Sequence, residues 1–399
     1  MLTLRGGAEL VALWAQLGSM LELVTGVVTA GAGAGLVVYV ARSRRVARQR
    51  EHLREALGIG LRVALPVALA AGAAGWAFSE LLSGGKIAPM VFVLTAAVGW
   101  VAVIPALVSN FWLGQQRRGL MLWLALASAA ATLLVSALAP ERFILESLAL
   151  SQALPAAVLL FLPRPEPAPE RAKKRPHPLR RYVLPGLAVG ILSPASMLVA
   201  RGAVGESLSW HDAGVLQALQ RVADWVCVFA ASYLSLNYLP RFAAVRSAPA
   251  LMIEMRQAAM AILLPSAAAF AALFLLHRPL LAMLYEPGVR ASDAAAGLFF
   301  AGSLLRVASW IPLFALYALR RTNEIAIGEF LSLPLFAALT AAAGSRLTLE
   351  MAGAFWVISY GAYGGYNLWA ARKSRIPRTP PDVRFSARPR GTGAGTAVK

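Results

Sequence analysis

Cysteine occurs once in 399 residues, at Cys227, so no intramolecular disulfide framework is available to this chain. Histidine is almost as scarce. His52, His177, His211 and His277 lack the spacing of metal ligands, and neither redox chemistry, a metal centre nor any other cofactor is indicated. Charged side chains make up only 14% of the chain and are lopsided, 38 basic against 19 acidic. No charged segment leads into a short apolar stretch with a small-residue cleavage site, so no cleaved signal peptide is read.

What is abundant is apolar sequence, 58% of residues, arranged in blocks of about twenty, the length that crosses roughly 30 Å of hydrocarbon. Candidate spans run over 11–40, 59–82, 88–113, 119–139, 143–163, 182–203, 214–239, 252–276, 294–319, 323–343 and 350–371. An all-α polytopic membrane protein of eleven spans follows. Most of the Lys and Arg fall in 41–54, 115–118, 164–181, 240–246, 320–321 and the tail from Arg372, whereas the alternate loops hold Lys86, Arg142, Arg278, Arg290 and Arg346. By the positive-inside rule the first set is cytoplasmic, as is the C-terminus, with the N-terminus outside. The net charge of +19 is thereby a topology signal and not a nucleic-acid footprint.

RPEPAPERAKKRPHPLRR at 164–181 reads as an extended, solvated linker. It separates an N-terminal bundle of five spans (1–163) from a C-terminal bundle of six (182–371), followed by a disordered basic cytoplasmic tail (372–399). If the plan is two similar halves, the first is one helix short, and a further span is expected upstream.

Charged side chains near the bilayer centre cost about 2.5–3.5 kcal/mol each, so those that persist face a bundle interior or an aqueous cavity. Gln217, Gln220, Arg221 and Asp224 follow i, i+3, i+4, i+7 spacing and share one helix face. Asp224 lies about 3 Å from the middle of its span. Two readings stand for it: an intrahelical pair with Arg221, or a cavity carboxylate that contacts substrate or carries a coupling proton. Arg201 closes the outer end of its helix, where snorkelling and function are both open. Arg306 is buried near mid-span, and guanidinium groups there suit an anionic substrate. Glu329 is the more enclosed of the two acids at the inner end of 323–343, Glu324 the more solvated.

Prolines at 66, 105, 155, 194, 265, 312 and 334 are expected to kink their helices. TAGAGAG at 29–35 reads as a close-packing stretch of small residues, since it lies within a span. The one sizeable outer loop, 277–293, offers His277, Glu286 and Asp293 without a recognisable catalytic grouping, and the chain is read as a non-enzyme.

LSWHDAGVLQALQRVADWVCVFAASYLSLNYLPRFAAV, 208–245, resembles the segment after the midpoint of Wzx-type flippases of O-antigen or enterobacterial common antigen units, the polysaccharide-transporter branch of the MATE-like (MOP) superfamily. The shared features are Trp210, Gly214, Gln217, Asp224, Tyr238, Leu239 and Pro240. LVTGVVTAGAGAGLVVYVA, SPASMLVARG and LLRVASW with YALRRTNEIAIGEFLSL extend the likeness over nearly the whole chain, through diffuse motifs. This chain departs from the family at Val38, where a Lys can stand, and at Ser303, where an acid can. The resemblance implies a twelve-helix fold of two six-helix bundles around a cleft, here without the first helix. It also implies translocation of an undecaprenyl-diphosphate-linked oligosaccharide across the bacterial inner membrane, with membrane lipids, a polysaccharide polymerase and a chain-length regulator as partners. On this reading Arg201, Arg221 and Arg306 contact diphosphate or acidic sugars and Gln217 and Gln220 bind sugar hydroxyls. Asp224 and Glu329 serve coupling, Asp224 by binding a proton or by pairing with Arg221. The rivals are a drug/cation antiporter, which would favour an acidic cleft, a peptidoglycan-precursor flippase, and, less well supported, a membrane glycosyltransferase or polymerase.

Overall fold

The computed structural model describes residues 2–43, 45–160, 183–245, 247–285, 288–319 and 321–373. The linker 164–181, Glu286 and the tail beyond Lys373 lie outside these, as does the side chain of Val38. All regular structure among the described residues is helical. Nine helical stretches are long and apolar enough to cross a membrane, and the protein is a multi-pass membrane protein.

In the first half, α1 (Leu2–Val28) runs through a π-helical turn, Thr29–Gly33, into α2 (Ala34–Arg42). Then come α3 (Val46–Ala77), α4 (Ser79–Ser83), α5 (Pro89–Gly114), α6 (Arg118–Leu138), α7 (Ile144–Ser151) and α8 (Leu154–Leu160). The second half comprises α9 (Val183–Ser207), α10 (Trp210–Tyr233), a π turn into α11 (Leu239–Ala244), and α12 (Ala248–Leu284). It ends with α13 (Asp293–Ala318), α14 (Thr322–Glu329), α15 (Leu333–Ala343) and α16 (Leu349–Lys373). Among the described residues the eleven expected spans fall on helix, but 143–163 and 323–343 are each broken, between α7 and α8 and between α14 and α15, while 182–203 and 350–371 are helical without being among the nine; α12 exceeds its expected 252–276 at both ends.

Local chemistry sets the boundaries. Ser209, Ser247 and Ser292 accept backbone N–H bonds from Asp212, Ala250 and Ala295, capping α10, α12 and α13. Pro89 opens α5, where its missing N–H is harmless. Five of the expected proline kinks, at Pro66, Pro105, Pro194, Pro265 and Pro312, fall inside helices, as does Pro279. Pro155 and Pro334 do not kink a continuous span: each is the second residue of a new helix after a break. The ring fits the first turn, where no earlier carbonyl obstructs it.

Small residues decide how the halves meet. Gly26 on α1 faces Gly190 on α9 so closely that a side chain on either would strike backbone. Gly214 on α10 abuts the carbonyl of Ala8, Gly202 on α9 abuts that of Leu81, and the Trp210 ring lies on Gly84 and Gly205. The contacts of Gly214, Gly202 and Trp210 seal the end of the bundle opposite the basic connections.

Candidate functional site: a cationic cavity between the halves

Behind that seal, α1, α9, α10, α13, α15 and α16 enclose a cavity of about 130 Å³. Gln217, Gln220, Arg221 and Asp224 from α10, Arg201 from α9 and Arg306 from α13 all line it. The helical spacing explains how four of these side chains of α10 reach one space. Three guanidinium groups and two carboxylates, Asp224 and Glu22, meet there.

The central interaction crosses helices. Arg306 Nη1 donates to Asp224 Oδ1 at 2.7 Å, and its guanidinium lies 5.1 Å from the Trp310 ring centroid and 5.9 Å from that of Tyr360. Those aromatic faces fix the direction of the arginine by cation–π attraction. Of the two readings open for Asp224, the intrahelical pair with Arg221 is not formed: the carboxylate points across the bundle to Arg306. Arg221 is left exposed in the cavity without an ion pair to a described carboxylate.

Arg201 is not a snorkelling residue. It is 5% exposed and donates to Gln16 Oε1 at 3.2 Å and Ser19 Oγ at 2.8 Å. Gln16 Nε2 in turn donates to the carbonyls of Leu82 and Leu198, at 2.7 and 3.1 Å, so one amide from α1 ties the guanidinium to α4 and α9. The Arg201 Nε and the Gln217 Oε1 are buried without a hydrogen-bond partner among the described residues. Such groups are rare in folded interiors.

Glu329 lies elsewhere. It accepts from Tyr363 Oη at 2.7 Å and from Ser332 Oγ at 3.4 Å, at the break between α14 and α15, and is not part of the cavity wall. The break turns it toward α16 instead. Ser303 accepts from the Trp356 indole at 3.3 Å.

Sequence reasoning missed Gln16, Ser19, Glu22 and the two rings beside the cavity, Trp356 and Tyr360. An amide and a hydroxyl at i, i+3, with an acid three residues on, were the available signal on α1.

No family model matches the sequence, and no curated protein does. Solved structures match by fold. A multidrug resistance MATE family transporter of the MOP superfamily, inward-facing, superposes with a TM-score of 0.69 at 13% identity, over 92% of this chain and 90% of that one. The lipid II flippase MurJ in an inward closed conformation gives 0.60 at 12% identity, over 92% and 86%. A MOP superfamily transporter from Pyrococcus furiosus, described by a binding pocket of reversed polarity, gives 0.60 at 14%, over 94% and 91%. The chain has the two-bundle fold of MATE-like, MOP-superfamily transporters.

Proposed function

We propose that this protein flips undecaprenyl-diphosphate-linked oligosaccharide repeat units from the cytoplasmic to the periplasmic leaflet of a bacterial inner membrane, for O-antigen or related surface polysaccharide synthesis. The observation that carries the reading is the convergence of Arg201, Arg221 and Arg306, with Gln217 and Gln220, on one cavity between the halves. Guanidinium forks match phosphate oxygens, and amides match sugar hydroxyls. A drug/cation antiporter would present the opposite balance. The fold likeness to a lipid II flippase supports this reading by analogy of architecture alone.

At about 130 Å³ the cavity is smaller than the roughly 300–1,000 Å³ of ordinary ligand sites. An oligosaccharide enters only when the halves part, which is alternating access. Arg306 has two states in this scheme, bound to Asp224 when empty and to diphosphate when loaded. Asp224 thereby reports occupancy, and Glu329, with its own hydrogen-bond partners, serves as the coupling carboxylate.

The test is complementation of a strain lacking its repeat-unit flippase, scored by surface polysaccharide. Restoration by the chain and loss with Arg306→Ala at equal membrane levels supports the proposal. Restoration instead of a strain lacking its peptidoglycan-precursor flippase would assign the rival substrate, and failure in both strains would overturn lipid-linked export.

A further inference from the structure

A second cavity, about 660 Å³, opens between α12, α13 and α16, on the far side of Tyr360 from the central site. Its wall is almost wholly apolar. Ser309 lines it, but its hydroxyl is already committed to the carbonyl of Arg306 at 2.7 Å. The charges in the wall are Arg256 on α12 and Arg372 on α16, both exposed, and neither has a described carboxylate within ion-pair distance. Both stand toward the end that carries the basic connections.

The dimensions are those of one leaflet. From Arg372 to Tyr360 along α16 is about 18 Å, and from Met252 to Leu263 along α12 about 17 Å, against about 15 Å for half of the hydrocarbon core. The concavity on α16 is made by glycine. A Cβ added at Gly361 or Gly365 meets nothing within 4 Å, so the groove is left unfilled by the protein itself.

We propose that this groove holds one anionic glycerophospholipid from the leaflet on the basic side, its phosphate at Arg256 and Arg372 and an acyl chain along Leu263, Leu305 and Pro312. Two guanidinium groups above an apolar trough are complementary to a phosphate joined to a hydrocarbon chain. The carrier lipid of the proposed transport reaction is not the occupant, because its diphosphate belongs at Arg306, and the groove has a separate head-group anchor about 18 Å away along α16. That exclusion rests on the proposed function; the groove and its two arginines do not. The groove touches the central cavity through Tyr360, which borders both spaces and lies over Arg306.

Native mass spectrometry of the full chain, equilibrated with equal phosphatidylglycerol and phosphatidylcholine, tests this. One phosphatidylglycerol should be retained over phosphatidylcholine by roughly fivefold or more. Arg256→Gln with Arg372→Gln, both at exposed positions, should bring the ratio to about one, while Arg346→Gln at the opposite end leaves it unchanged. Gly361→Leu with Gly365→Leu should expel the retained lipid of either type. An unchanged ratio in the double arginine variant overturns the site. Preferential retention of undecaprenyl phosphate over phosphatidylglycerol overturns the choice of occupant.

Discussion

Asp224 and Arg306 are 82 positions apart in the chain and 2.7 Å apart in space. Their side chains are 34% and 25% exposed, so the pair faces the cavity and is not sealed in the bundle. Losing one partner should therefore cost less than the ~3–5 kcal/mol of a fully buried pair. Asp224→Asn and Arg306→Ala should both reach the membrane and both stop export. The informative variant exchanges the charges, Asp224→Arg with Arg306→Asp. If the pair only holds helices together, export returns with the swap. If Arg306 must leave Asp224 to meet diphosphate, the swapped protein regains thermal stability in detergent and remains inactive. Glu329 is tested separately: Glu329→Gln keeps its Tyr363 neighbour and is expected to fold normally, and export assayed in inverted vesicles should lose its response to an imposed proton gradient.

At the scale of helices, glycine contacts set how closely the halves approach. A methyl at Gly214 would enter the space of the Ala8 carbonyl, and overpacking of this kind typically costs about 1–3 kcal/mol. Gly58, on α3, has nothing within 4 Å of an added Cβ, and replacing helical glycine by alanine gains up to about 1 kcal/mol. Gly214→Ala should thus lower the unfolding temperature and Gly58→Ala raise or preserve it, measured side by side in the same detergent. Equal effects would mean that the α1–α10 contact does not limit stability. The π turn at Thr29–Gly33 belongs to the same account: Gly33 gives its Cβ space to the Asn110 side chain, so the small-residue stretch between α1 and α2 serves packing as its composition indicates.

For the whole molecule, orientation is the first consequence of charge. In a Cys227→Ser background, a membrane-impermeant maleimide applied to spheroplasts should label Lys86→Cys and Arg346→Cys at once. Arg117→Cys and Lys373→Cys should react only after permeabilisation. The reverse pattern would invert the topology and, with it, the direction in which the sealed end faces. The seal itself is a property of two halves in contact, α1 and α4 against α9 and α10, and the alternating access proposed above requires that contact to break while another forms at the basic end.

Much of this architecture is written in one dimension. Blocks of about twenty apolar residues, interrupted by Arg-rich connections, determine that the chain spans a membrane repeatedly and which ends lie together, because burying charge in hydrocarbon is costly wherever it occurs. Periodicity likewise put Gln217, Gln220, Arg221 and Asp224 on one face. Partners were beyond it. Asp224 had a cation three residues away and took one 82 residues away, because the choice depends on which rotamers point into a shared space and on the rings beside Arg306. The same holds for Gln16, an unremarkable amide until the fold sets it between Arg201 and two carbonyls, and for Glu329, which the break after α14 turns away from the cavity to Tyr363. Sequence determines which groups must avoid lipid; only the packing of helices from the two halves decides which of them meet.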